Sequence, residues 1–178
     1  MSVRTFENFT PDLGVGVFVD PSALVVGQVR MGDHSSVWPM ASIRGDVNAI
    51  RIGSRTSVQD GCVLHATHAG PFNPEGFNLV IGDDVTIGHK AMLHGCTVGN
   101  RCLIGMDSVV MDGAVIESEV VLGAGSIVPP GRVLTSGFLW VGSPARKIRP
   151  LNQTEIDYFE YSAENYVSLK NRYLADKG

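Results

Sequence analysis

Two histidines that could bind a metal lie in the stretch TIGHKAMLHGC, residues 86 to 96. Imidazole nitrogens are common ligands of zinc-type metals. On the zinc-binding helix of a metalloprotease the two histidines are four residues apart and a glutamate lies between them. Here His89 and His94 are five residues apart, Leu93 precedes His94, and Gly88 and Gly95 argue against a helix. Another type of element must therefore position these side chains.

A six-residue repeat indicates what that element is. A helix requires a period of 3.6 residues and a plain strand a period of two, so neither explains the pattern. A parallel β-helix does, because each hexad forms a short strand and a turn, and three hexads complete one triangular coil. Glycine often follows the aliphatic residue and would relieve crowding at the bends. The aliphatic residues predicted to fill the axis are Val25, Met31, Val37, Ile43, Ile52, Val58, Leu64, Ile81, Ile87, Leu93, Val98, Ile104, Val110, Ile116, Leu122 and Val128.

Three interruptions of the repeat fix its register. Three extra residues lie between Ile43 and Ile52, an inserted loop follows Leu64, and one residue is missing between Leu93 and Val98. With these allowed for, Ile43, Leu64 and Leu93 stack on a first face of the prism. Val58 and Ile87 stack on the neighbouring, second face.

The register places one column of polar side chains on the first face. Arg44, His65 and His94 each follow an axial residue directly, so they lie one above the other in successive coils. Adjacent strands are about 4.8 Å apart. Two imidazoles at that separation can share one zinc ion, with bonds of about 2.1 Å.

His89 belongs to the second face, beside Gln59 and Asp60 of the preceding coil. Two faces of a triangular prism point roughly 120° apart, so His89 cannot easily complete a site with His65 and His94 of its own chain. It could do so if the second face of one subunit packed against the first face of another. Such a heterologous contact closes into a ring, and a trimer is the natural closure for triangular prisms.

The remaining segments complete the predicted domain organisation. The β-helix domain is expected over residues 12–134, with an inserted loop at about 68–80, and an exit loop is expected over 135–151. A C-terminal α-helix over 152–175 begins with Asn152 and Glu155, which form the pattern of a capping box. This helix is expected to pack on the outside of the prism.

The bulk properties fit one compact domain and exclude several classes of function. The chain has 178 residues, 44% hydrophobic and 18% charged, with a net charge of -4. This charge gives no reason to expect binding to nucleic acid or to anionic membranes. No stretch reaches 18 apolar residues and no signal peptide is evident, so we expect neither membrane insertion nor secretion. Three cysteines without CxxC spacing indicate reduced thiols and a cytoplasmic location.

Four motifs together resemble the gamma-class carbonic anhydrase family: IRGDVNAIRIG, SVQDGCVLHATH, TIGHKAMLHGC and VGSPARKIR. They occur in family order over nearly the whole chain. The resemblance implies a left-handed parallel β-helix and a homotrimer with one zinc-type metal at each interface (Zn²⁺, or alternatively Fe²⁺ or Co²⁺). It implies His65 and His94 of one subunit and His89 of its neighbour as the ligands. The polar residues that match the family's site and interface are Arg44, Asp46, Gln59 and Asp60.

The family resemblance also implies a reaction. A metal-bound hydroxide would attack carbon dioxide to give bicarbonate, which is a lyase reaction in the reverse direction. Gln59 would orient the hydroxide, and Arg44 would pair with Asp60 across subunits while Asp46 fixes its guanidinium group. The family pattern has an acidic loop with a glutamate that shuttles protons. The loop of this chain, HAGPFNPEGFN, offers only Glu75, which predicts that proton transfer limits turnover.

Two other functions are compatible with the same sequence. A hexapeptide-repeat acyltransferase shares the prism and the cleft between subunits, and it needs one histidine as a base and no metal. A non-catalytic trimer could use the same three ligands to hold its subunits together or to act as a scaffold. Metal content separates the first of these from the carbonic anhydrase, and a hydration assay separates the second.

Overall fold

Short parallel strands stack on three faces of a left-handed prism in the computed structural model, which describes residues 2–176. The strands Leu24–Met31 and Ser42–Ile52 turn a corner, so the first half of each lies on the first face and the second half on the third. The first face also contains Val3–Arg4, Val63–His65, Met92–His94, Val109–Val110 and Ile127–Val128. The second face contains Phe18–Val19, Ser36–Val37, Ser57–Val58, Thr86–Ile87, Leu103–Ile104, Val121–Leu122 and Phe138–Gly142. The third face also contains Asp12–Leu13, Leu79–Ile81, Thr97–Val98, Val115–Ile116 and Val133–Leu134.

The axis of the prism has the register that the repeat predicts. Ile43 pairs with Leu64 and Leu64 with Leu93, and on the second face Val58 pairs with Ile87. Every aliphatic residue predicted to fill the axis is buried, with at most 4% of its surface exposed. Burying one such side chain contributes about 1.5–3 kcal/mol relative to leaving it in water. The β-helix and its C-terminal helix are therefore confirmed.

The glycines that follow axial residues do not make the bends themselves. A Cβ at Gly53 would lie 2.5 Å from the carbonyl carbon of Gly82 in the next coil, so this glycine permits close stacking of the backbones. The bend is made two residues later, where Arg55, Asp84 and Arg101 have φ angles of 50°, 56° and 54°. The expectation that glycine relieves the bend is wrong for this corner, because the crowding lies between coils.

The segment 135–151, predicted to be a loop, contains an antiparallel hairpin of Phe138–Gly142 and Ala145–Pro150. Its first strand extends the second face, where Trp140 pairs with Leu122 and is buried at the end of the axis. The Trp140 side chain thus covers the open end of the prism. The second strand of the hairpin pairs with the first, which would otherwise be an unpaired edge of the sheet. The N-terminal strand Val3–Arg4 likewise lies before the predicted start of the domain at residue 12.

The C-terminal helix Gln153–Ala175 lies against the second face. Asn152 caps its N-terminus and forms the predicted capping box with Glu155. The Thr86 and Ser162 hydroxyls are 2.7 Å apart, which ties the buried side of the helix to a strand of the prism. Within residues 2–176 no helix combines the length and the apolar character that crossing a membrane requires.

Candidate metal centre

His65 and His94 lie next to each other at the edge of the first face. Arg44 pairs with His65 and His65 with His94 in successive coils, which is the column that the register predicts. The two imidazole centroids are 5.0 Å apart. The rings are turned so that Nδ1 of His65 and Nε2 of His94 face each other at 3.0 Å. Each coil therefore contributes one nitrogen to a common point.

A carboxylate occupies the other ring nitrogen of each histidine. Nε2 of His65 is 3.0 Å from Oδ1 of Asp46, and Nδ1 of His94 is 2.6 Å from Oδ1 of Asp112. An ionised carboxylate can only accept hydrogen bonds, so these two ring nitrogens carry the protons. When each ring carries only that proton, the facing nitrogens present two opposed lone pairs.

Such a pair of facing nitrogens fits a bound cation. Two Zn–N bonds of about 2.1 Å in tetrahedral geometry place their nitrogens about 3.4 Å apart, close to the separation seen here between His65 and His94. Histidines that ligate a metal usually donate their other N–H group to a carboxylate, as both do here. The donor set therefore fits a zinc-type ion.

Asp46 connects this histidine pair to Arg44. The Arg44 guanidinium donates to Oδ2 of Asp46, while His65 occupies Oδ1. Burial tends to raise the pKa of Asp46, but the hydrogen bonds from Arg44 and His65 outweigh it and lower the pKa below its ordinary value. Asp46 is thus held as an anion that orients both neighbours.

His89 lies on the second face, in contact with Asp60. Its Nδ1 is 2.9 Å from Oδ2 of Asp60, and 47% of its side chain is exposed. Within the chain, Asp60 therefore contacts His89. The predicted ion pair between Asp60 and Arg44 would form between two subunits. In the described part of a single chain, no group of three or more histidine, cysteine or acidic side chains could hold a metal ion. His89 and the pair on the first face are separate.

A groove runs from His89 between the second face and the C-terminal helix, with a volume of about 390 Å³. Gln59 lines it and is 5% exposed, and Tyr166 lies beside it from the helix. Burial raises the pKa of Tyr166, and its hydrogen bond with Gln59 partly opposes this. The sequence indicated only a packing role for Tyr166, because helical spacing does not show which partner an aromatic residue meets.

Thr67 and Asp112, which the sequence analysis did not single out, also contact the histidine pair. Oγ1 of Thr67 donates to Oδ2 of Asp112 at 2.7 Å. Asp112 lies in the coil after His94, and a Cβ at Gly95 would lie 2.5 Å from its Oδ1. A glycine opposite an acidic residue was the signal available in the sequence.

Comparisons with known proteins agree with this architecture. The family model described as Bacterial transferase hexapeptide (six repeats) matches residues 78–111 and 95–130. Protein YrdA of Escherichia coli is 50% identical over 176 residues, which cover 99% of this chain and 95% of that protein. The chain belongs to the hexapeptide-repeat family.

Other family members carry names that bear on function. Gamma carbonic anhydrase 2, a mitochondrial protein of Arabidopsis thaliana, is 41% identical over 93% of this chain and 60% of its own length. The gamma carbonic anhydrase resemblance is therefore confirmed at the level of family. A hexapeptide transferase family protein from Anaplasma phagocytophilum superposes with a TM-score of 0.88 at 38% identity, covering 96% of this chain and 97% of that one.

Proposed function

We propose that the protein catalyses the reversible hydration of carbon dioxide to bicarbonate at a metal held between subunits. The observation that carries this proposal is the converging pair of nitrogens from His65 and His94, 3.0 Å apart, each ring backed by a carboxylate. Family membership alongside named gamma carbonic anhydrases supports it. His89 supplies the third ligand from the neighbouring subunit.

A zinc-type ion held by three neutral imidazoles lowers the pKa of a bound water towards neutrality, which makes water a nucleophile at pH 7. The residues of this chain orient the reactants around it. Asp46 and Asp112 hold the two first-face rings in place, and Asp60 does so for His89. Gln59 is buried at the edge of the groove, where its amide can orient the attacking water or bicarbonate by hydrogen bonding.

The proposed assembly is a homotrimer in which the second face of one subunit meets the first face of the next. The first face presents outward-facing apolar side chains near the histidines: Val63 and Met92 are 42% and 43% exposed. Pairing would bury these side chains and bring His89 towards His65 and His94. Arg44 would then reach Asp60 of the neighbour, as the sequence predicts.

An acyltransferase is the second candidate function, favoured by the transferase name of the superposing structure and by the groove beside His89. A volume of about 390 Å³ is in the range of ligand pockets and is larger than carbon dioxide needs. In that reaction His89, paired with Asp60, would act as a general base on the acceptor. Metal is not required for it.

The decisive experiment measures metal content and carbon dioxide hydration on the same preparation, purified without chelator or affinity tag. We expect close to one metal per chain and hydration that is lost on chelation and restored by Zn²⁺ or Fe²⁺.

We also expect imidazole buffer to raise turnover while the bimolecular rate changes little, because Glu75 is the only acid in the loop. General acid–base groups contribute about 10²–10⁴-fold, so a missing shuttle is measurable.

Two outcomes reject the proposal. Metal-loaded protein without hydration at any buffer concentration would favour the non-catalytic scaffold. Protein that binds no metal but accelerates acyl transfer, and loses that activity in a His89→Ala variant, would favour the acyltransferase.

A further inference from the structure

Asp112 and Thr67 form a hydrogen-bonded pair beside His94. Asp112 comes from the coil after His94, and Thr67 from the segment just after His65. The His94 and Asp112 side chains are 37% and 30% exposed, so the pair is partly shielded from water. Neither residue has a role in the site as the sequence predicts it.

The contacts around His94 decide which of its nitrogens carries the proton. Nδ1 lies 2.6 Å from Oδ1 of Asp112, an atom that only accepts when the carboxylate is ionised. Oγ1 of Thr67 is 3.3 Å from the same nitrogen and gives its proton to Asp112, so it also accepts there. The proton is therefore on Nδ1, and Nε2 is left with its lone pair. That lone pair is the one directed at Nδ1 of His65. The opposite tautomer of His94 would direct an N–H group at the common point and leave a lone pair against the carboxylate.

Thr67 fixes the carboxylate that makes this choice. Its hydroxyl donates to Oδ2 of Asp112, which leaves Oδ1 for His94. The backbone of Thr67 is itself fixed, because its N–H and C=O groups bond to the C=O and N–H groups of Phe77 at 2.9 and 3.0 Å. The donor is therefore held by two backbone hydrogen bonds to Phe77.

The backbone at Gly95 makes room for the carboxylate. A Cβ at this position would lie 2.5 Å from Oδ1 of Asp112 and 2.8 Å from Cβ of Phe77. No other residue type fits there without displacing Asp112 from His94. The glycine at position 95 and the hydrogen bond from Thr67 thus favour the same position for the Asp112 carboxylate.

We propose that Asp112, held by Thr67, is a positioning residue that selects the Nδ1–H tautomer of His94 and thereby prepares its Nε2 to bind the metal. The inference deepens the proposed function, and its claim that Nε2 of His94 binds a metal rests on that function. Removing a carboxylate that orients a metal-bound histidine typically weakens metal binding about 10–100-fold. The role of Asp112 in choosing the tautomer does not depend on which reaction the site catalyses.

The first test reads the tautomer directly, without metal or activity. Nitrogen NMR of protein labelled with ¹⁵N-histidine, recorded metal-free at mildly alkaline pH, distinguishes a protonated from an unprotonated Nδ1. We expect Nδ1 of His94 to be protonated in the wild type and to lose that preference in Asp112→Ala, because the choice of nitrogen follows the hydrogen bond that holds it. Asp112→Asn should lose or reverse the preference, because an amide oxygen that accepts from Thr67 leaves the NH2 group, a donor, facing Nδ1 of His94. Thr67→Val should show a smaller change in the same direction.

The second test measures the Zn²⁺ dissociation constant by competition with a chromophoric chelator. We expect Asp112→Ala to weaken binding by about 10–100-fold. Asp12→Ala serves as the control. The Asp12 carboxylate is 72% exposed and lies on the third face, whereas His65 and His94 lie on the first. Should Asp112→Ala fail to fold, Thr67→Val and Asp112→Asn carry both measurements.

The outcomes separate this inference from the proposed function. A wild type with the proton on Nε2 of His94, or a preference that survives Asp112→Ala, overturns the inference. Unchanged zinc affinity in a folded Asp112→Ala variant also overturns it. A wild type that binds no zinc rejects the proposed function, while the NMR comparison still decides the role of Asp112.

Discussion

At the scale of single residues, the three histidines share one arrangement. Asp46, Asp112 and Asp60 each contact one ring nitrogen of a histidine and leave the other nitrogen without a carboxylate partner. A surface histidine needs no such partner, whereas a metal ligand needs one ring nitrogen unprotonated and a fixed ring orientation. The repetition of this contact on two faces supports a common role for the three rings.

Gly95→Ala tests whether the space beside His94 matters. The new methyl group would lie 2.5 Å from Oδ1 of Asp112, so we expect Asp112 to be displaced and zinc binding to weaken, by up to the same 10–100-fold as its removal. The φ of 51° adds a backbone cost of about 1 kcal/mol, because a side chain disfavours this region. Zinc affinity and the free energy of unfolding of the metal-free protein are the measurements.

Gly137→Ala is the matched control for this prediction. Gly137 turns another corner of the prism with a φ of 79°, a Cβ there would have no atom within 4 Å, and its backbone bonds to Glu119 and Leu151, not to Asp112. The control should therefore show the loss of stability and keep its zinc affinity. Equal zinc affinity in the two variants would mean that the position of Asp112 does not matter.

The sequence identified some of these residues and not others, for a physical reason. A strict repeat fixes which side chains follow an axial residue, so the column of Arg44, His65 and His94 follows from counting. Asp112 is bound to its histidine across a corner, where one residue is missing from the repeat. Side-chain directions at an irregular corner depend on φ angles such as that of Gly95, which the repeat does not encode.

At the scale of elements, the strands were predictable and the covering of the ends was not. From Leu24 to Leu134 each strand repeats the same buried aliphatic position, which is a strong signal. The hairpin after Leu134 interrupts the pattern with glycine and proline, which favoured a loop. Trp140 lies three hexads after Leu122 and fills the axis, so the repeat in fact continues through it.

Asn152→Ala tests the start of the C-terminal helix. The Asn152 side chain accepts from the backbone N–H of Glu155, and replacing such a cap by alanine typically costs about 1 kcal/mol. We expect that loss in the free energy of unfolding measured with urea. Asn165→Ala makes the same substitution at an exposed position inside the helix, where alanine is the better helix former, and should be neutral or slightly stabilising. A cap variant as stable as this control would contradict the prediction.

Glu155 should make the stability of the helix depend on pH in the acid range. The bidentate bond from Arg149, helped by the Asn152 backbone N–H, lowers the pKa of Glu155 from 4.5 to about 2. A lowered pKa stabilises the folded state above the ordinary value, and this contribution is lost as the pH falls from 4.5 towards 2. Circular dichroism melting should therefore show Glu155→Gln less stable than wild type at pH 6 and equal to it near pH 2. A constant difference between the two would contradict the assignment.

At the scale of the whole molecule, one chain carries the three ligands of the proposed metal site on two separate faces. His65 and His94 belong to the first face and His89 to the second. The register predicts this division, because a separation of five residues carries the chain around a corner. The sequence does not encode how tightly two faces pack, because interface energy depends on shape, so the trimer remains a proposal.

Mixed trimers test the shared site directly. His65→Ala removes a first-face ligand and His89→Ala a second-face ligand, so each parent protein should lack every complete site. In a ring, a mixed trimer contains one interface that joins the intact first face of one variant to the intact second face of the other. Unfolding and refolding the two together in equal amounts should restore about a quarter of the metal sites, from the random closure of three-membered rings. Metal per chain in the refolded mixture, compared with each parent refolded alone, is the measurement. A mixture that binds no more metal than its parents would show that His65 and His89 do not serve one site.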